Sequence, residues 1–170
     1  MFKNFNTAPF KKMKPPSDSS FDTMQEVKQL KKTPLNKKFV KDNDDIEAAF
    51  KATAKKQDVK DYDTKVAAKL IKESAPVILK LKKHFNRPRP KSIAKKMNIK
   101  MKDIEMDSMK TPSYPSGHSA QGMLIGSVLK DKYPKAGSAF MKTAKNISDS
   151  RKVARACLLY TSPSPRDRQK

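Results

Sequence analysis

Apolar residues in this chain recur at intervals of three and four, and no segment alternates convincingly with period two. That spacing lines up one face of a helix, not one face of a strand. After Ser19-Ser20, the residues Phe21, Met24, Val27 and Leu30 form a first stripe, with Glu26 in the early turns and Thr33-Pro34 as the stop. A second helix is predicted from about Asp44 to Lys56, with Ile46, Ala49, Phe50 and Ala54 on its apolar side. A third starts near Asp63, carries Val66, Ala67, Leu70 and Ile71, meets Pro76 and resumes as Val77-Ile78-Leu79-Lys80-Leu81. Pro76 either kinks this helix or splits it in two. Arg87-Pro88-Arg89-Pro90 then ends helical structure, and Lys91 to Tyr114 reads mostly as loop around short helical pieces. Met123, Leu124, Ile125, Val128 and Leu129 mark a buried helix ending near Tyr133-Pro134. Phe140, Met141, Ala144 and Ile147 predict another, followed by a last one from about Ser148. The pattern is that of an all-α, single-domain helical bundle without repeats.

Length and charge narrow the classes. The 170 residues suit one domain with a modest core. Lys and Arg number 39 against 17 Asp and Glu, a formal net charge of +22, which draws polyanions. The excess is scattered lysine with no arginine-rich tract, no aromatic interleaving and no zinc or helix-turn-helix signature, so a solvated surface is expected and a nucleic-acid partner is not. One cysteine, Cys157, excludes an internal disulfide framework. The basic start has no apolar run leading to a small-residue cleavage site, and no stretch approaches the roughly 20 apolar residues of a membrane span. A soluble chain, cytoplasmic or otherwise unexported and without integral membrane association, is expected. Residues 1–14 read as a basic flexible lead-in to a helical domain over 15–156.

The chemistry concentrates where a Pro-punctuated loop, Thr111-Pro112-Ser113-Tyr114-Pro115, meets the apolar helix through Ser116-Gly117-His118. Ser116 is a strong N-cap residue, and Gly117 lets a ligand approach backbone N–H groups that no intrahelical carbonyl satisfies. Such a turn suits a phosphate, with His118 placed to hand a proton to a departing oxygen. The same residues also describe an ordinary capped helix with a surface histidine. Arginine placement adds a second signal. Before Cys157 the only arginines are Arg87, Arg89, Arg151 and Arg155, in two short clusters of a chain that otherwise uses lysine. A planar guanidinium fork binds phosphate oxygens bidentately, which an ammonium does not; interhelix ion pairs are the alternative use.

Lys82 followed by Arg89-Pro90, then Pro115-Ser116-Gly117-His118, then Ser150-Arg151 resembles the tripartite signature of the type 2 phosphatidic acid phosphatase and vanadium haloperoxidase superfamily. The wording Lys82-Lys83-His84-Phe85-Asn86-Arg87-Pro88-Arg89-Pro90, and Pro15-Pro16-Ser17-Asp18-Ser19-Ser20 leading to Thr23 and Glu26, is similar to the soluble class A bacterial acid phosphatases. The resemblance spans roughly Pro15 to Ala156 and implies an α-helical bundle with its site at helix ends. It implies that Lys82, Arg89 and Arg151 hold phosphate oxygens, that Ser116 and Gly117 contribute hydroxyl and backbone donors, and that His118 protonates the leaving alcohol. No metal is implied, and vanadate is the phosphate analogue such a pocket takes.

The family's nucleophile is a second histidine six residues after the last motif's arginine, oriented by an aspartate four residues further on. This sequence has Cys157 and Thr161 there. His84, the only other histidine, lies inside the first motif, where packing or surface is its expected role. The run Cys157-Leu158-Leu159-Tyr160-Thr161-Ser162-Pro163-Ser164-Pro165-Arg166-Asp167 resembles a translated transposase-type sequencing adapter. Residues 157–170 are therefore expected to be an artefactual tail on a bundle truncated at its C-terminal part. The parent is expected to be a metal-independent phosphoric monoester hydrolase acting through a phosphohistidine on a small phosphorylated substrate, and this chain to be inactive. The alternatives are a vanadate-dependent haloperoxidase, a non-catalytic basic phosphate- or nucleic-acid-binding protein, and a natural variant with Cys157 as nucleophile.

Overall fold

The computed structural model describes Phe2 and residues 4–158, and all regular structure within them is helical. Helix α1 (Ala8–Lys11) is followed by α2 (Phe21–Lys32), α3 (Lys37–Asp42), α4 (Ile46–Lys56), α5 (Lys65–Phe85) and α6 (Pro90–Lys96). A 3-10 turn (Asp107–Lys110), α7 (Gly117–Lys132), a second 3-10 turn (Pro134–Ala136) and α8 (Gly137–Val153) complete the order. Side-chain caps set several starts. Ser20 Oγ accepts from Thr23 N, Asn36 Oδ1 from Phe39 N, and Asp45 Oδ1 from Ala48 N.

Helix α5 passes through Pro76 unbroken. A proline leaves one carbonyl of the preceding turn without its amide partner, but Leu70, Ser74, Ile78 and Leu81 keep one buried face on both sides of it, and that burial holds the helix together. It ends at Asn86, whose φ of 44° puts it in the left-handed conformation that terminates helices.

The expectation of a separate last helix from Ser148 is corrected: α8 is continuous from Gly137 to Val153. Nothing between Ile147 and Ser150 breaks a helix, and Ser148 turns its hydroxyl inward to donate to Ser119 Oγ at 3.0 Å. Two short helices, α1 and α3, arise where no helix is predicted. The lead-in is correspondingly more structured than a flexible arm, with Thr7 buried and Met13 O accepting from the Tyr114 hydroxyl at 2.8 Å.

The largest core lies among α4, α5, α7 and α8, around the fully buried Phe50, Ile125, Leu129, Phe140 and Ile147. Helices α7 and α8 approach closely because α7 has Gly122 and Gly126 on the shared face. A Cβ on Gly126 would stand 2.9 Å from Ala144 Cβ. A second core joins Val27 and Leu30 of α2 to Ile93 and Ala94 of α6, with Met101 and Leu158. A third gathers Val40, Ala154 and Ala156. Of the expected artefactual tail, Cys157 and Leu158 are described and both are buried; the rest, 159–170, lies outside the described residues. Among the described residues no helix is long and apolar enough to cross a membrane.

Candidate functional site

One cavity of about 200 Å³ opens where the end of α5, the start of α7 and the end of α8 meet, and its walls include Lys82, Arg89, Ser116, Gly117, His118 and Arg151. All six residues predicted for phosphate binding and acid catalysis therefore share one cavity. Cys157 lines it as well, at the position where the resemblance places a nucleophilic histidine. The α5 side of the wall is apolar, with Ala75, Ile78 and Leu79.

Each charged group is held by the fold in a different way. Lys82 lies in the last turn of α5, buried, with Nζ donating to Pro112 O at 2.5 Å. Burial, then the neighbouring Arg89, lowers its pKa to about 8 against a smaller opposing influence of Cys157. Arg89 is the N-cap residue of α6. Its Nε donates to Thr111 O at 2.8 Å, Nη1 to Ala156 O at 2.7 Å and Nη2 to Ser108 O at 3.0 Å, so its guanidinium ties the loop before α7 to the end of α8. Ser116 caps α7 and accepts from the Ser119 hydroxyl at 2.9 Å; Ser119 in turn accepts from Ser148, a hydroxyl chain that fixes the α7 turn against α8.

Arg151 projects from α8 with its side chain 3% exposed. Nε donates to Ser150 Oγ at 3.1 Å and Nη1 to Asp44 Oδ1 at 2.9 Å, while Nη2 is buried without a protein acceptor. A buried guanidinium with one donor unmet is poised for an acceptor from outside the protein. His118 meets the same aspartate. Its Nε2 lies 3.0 Å from Asp44 O and 3.4 Å from Asp44 Oδ1. Facing a carbonyl, Nε2 carries the proton and donates, which leaves Nδ1 as the acceptor nitrogen of the neutral ring. Burial foremost, then the Arg151 charge, lowers the His118 pKa to about 4, against the raising influence of Asp44.

Asp44 is the principal residue that sequence reasoning missed. It stands on the turn between α3 and α4, where Asn43-Asp44-Asp45 reads only as a helix start, and no spacing ties it to residues 107 positions away. Thr111 and Gln121 also line the cavity. Gln121 is aligned by donating to Ile71 O at 3.3 Å and Ser74 Oγ at 3.4 Å.

The idea that both arginine clusters serve phosphate is corrected for half of each. Arg87, 2% exposed, donates from Nη2 to Pro16 O and Thr23 Oγ1 and lies 3.5 Å from Asp18, tying the segment before α2 to the end of α5. Arg155 donates to Lys102 O, Lys31 O and Thr33 O, tying the end of α8 to the C-terminal end of α2 and to the loop after α6. Both guanidiniums bridge separate segments, Arg155 through three main-chain carbonyls and Arg87 through one carbonyl and one hydroxyl, a use that donors in a plane serve as well as they serve phosphate. His84 is exposed and packs edge-on to Phe85, a surface role. No cluster of three or more potential metal ligands occurs among the described residues.

No protein-family model matches the chain, and neither does any curated protein sequence.

Proposed function

We propose that this cavity binds the phosphate group of a small water-soluble phosphomonoester, and that the parent of this sequence hydrolyses such an ester while the chain as it stands only binds it. The observation that carries the reading is convergence. Cationic and donor groups from three separated segments, Lys82 and Arg89, Ser116 to His118, and Arg151, wall one small cavity in which a buried Arg151 Nη2 lacks an acceptor. Ammonium, two guanidiniums, a helix N-terminus and a serine hydroxyl are the donor set that stabilises a tetrahedral oxyanion and, more strongly, the charge of a pentacoordinate transition state. The apolar wall of Ala75, Ile78 and Leu79 gives the organic part of an ester somewhere to rest.

Chemistry beyond binding needs a nucleophile and a proton donor. The resemblance implies histidine for both; here one position is Cys157, so no phosphohistidine forms on it. With its pKa lowered to about 4, His118 is neutral at pH 7, and a bound phosphate would add negative charge beside it and raise its pKa toward the range of a working acid. The test is calorimetric titration with phosphate and with vanadate, alongside an assay with a chromogenic phosphate ester. The reading expects binding that Arg151→Ala weakens at least about tenfold, together with no turnover. Binding unaffected by Arg151→Ala would overturn it, and robust turnover abolished by Cys157→Ser would replace the histidine route with a thiol one.

A further inference from the structure

Asp44 has no part in the donor set and does not line the cavity, yet it touches two groups that do. Its carboxylate takes Arg151 Nη1 at 2.9 Å, which turns the other terminal nitrogen, Nη2, into the buried position without a protein acceptor. Its main-chain carbonyl fixes the His118 ring through Nε2 at 3.0 Å. The turn that carries it is anchored on both sides. Asn43 Nδ2 donates back to Phe39 O of α3 at 2.8 Å, and Asp45 caps α4. The side chain is 44% exposed, so water reaches it from outside while its inner oxygen stays on Arg151.

Asp44 also changes the charge of the site. Lys82, Arg89 and Arg151 are the charged residues lining the cavity at neutral pH, and His118 is neutral there. Three cations backed by one carboxylate leave two positive charges, the complement of a phosphate monoester dianion. Without the carboxylate the site would carry three, and attraction would grow with the charge of the incoming anion.

We propose that Asp44 is a specificity-determining and positioning residue of the anion cavity: it aims Arg151 and His118, and by offsetting one of the site's three positive charges it lessens the advantage that more highly charged polyphosphates have over a monophosphate dianion. The inference rests on the phosphate-binding reading above.

The experiment compares inorganic phosphate with tripolyphosphate by calorimetry, at pH 7.5 and constant ionic strength, on the full chain and on Asp44→Asn. Asparagine keeps an oxygen for Arg151 and removes the charge. In Asp44→Asn, phosphate is expected to tighten about fivefold and tripolyphosphate, with about twice the charge, about 25-fold, because the free-energy gain scales with ligand charge. A role confined to folding would not move that ratio. Equal gains for both anions, or equal losses, would overturn the inference and leave the phosphate reading standing. Binding of neither anion, or binding indifferent to Arg151→Ala, would remove the phosphate reading and the inference together.

Discussion

At the scale of single residues, burial sets the titration behaviour of the cavity. His118 ordinarily titrates at 6.5 and is held at about 4 in the fold, so between those values the unfolded chain binds the proton that the folded chain refuses. Stability is therefore expected to fall as pH drops from 6.5 to 4, by up to about 3 kcal/mol from this group, and His118→Gln should flatten that part of a melting-temperature profile. Lys82 gives the opposite reading on ligand affinity. With its pKa lowered to about 8, its ammonium is lost in mildly alkaline solution, so phosphate affinity should decline as pH rises through about 8 and upward. Lys82→Arg should retain affinity over that range in a calorimetric pH series, because guanidinium keeps its proton.

Individual site residues were legible to very different degrees. Ser116 as a helix cap and the phosphate suitability of the turn followed from local chemistry, and the structure has that cap in place. The pairing of Lys82 with Arg89 and Arg151 rested on resemblance, because three segments far apart in sequence share no spacing rule. Asp44 was invisible for a plainer reason: an acidic residue beside a helix N-cap has an adequate local explanation, and its contact with Arg151 is purely tertiary.

Elements were easier to read where they were long and one-sided. The stripe of α4 and most of those of α2 and α5 correspond to buried faces, because period 3.6 leaves little choice when an apolar face must be covered, but Phe21 at the first position of α2 and Leu79 on α5 are exposed. The short α3 escaped because Lys37–Asp42 has one buried residue, Val40, and is started by the Asn36 cap alone. The α8 boundary was misplaced because Ser148, Ser150 and Arg151 look polar; they point inward and are satisfied by hydroxyl and guanidinium contacts that periodicity does not see. The α7–α8 contact yields a prediction of its own. Gly126→Ala would place a methyl 2.9 Å from Ala144 Cβ and 3.3 Å from Phe140 O, so the helices must separate. The expected cost is about 1–3 kcal/mol in denaturant unfolding, with the far-UV spectrum unchanged.

For the molecule as a whole, charge and the C-terminal segment decide robustness. A net charge of +22 on 170 residues repels itself, so added salt at constant pH is expected to raise the melting temperature until screening is complete. Leu158 is fully buried between α2 and α6 whatever the origin of its codon. Leu158→Ala is expected to cost about 2–4 kcal/mol, read by the same unfolding titration, because it empties part of the second core.

Arg89 carries a consequence for the order in which the molecule is made. Its fork reaches 22 residues forward to Thr111 and 67 forward to Ala156. A chain emerging from the ribosome exposes the Lys82 and Arg89 cations long before the carbonyl of Ala156 exists to receive one of them. The cavity wall is thus closed only once residue 156 has been made, and until then Arg89 stands without that partner.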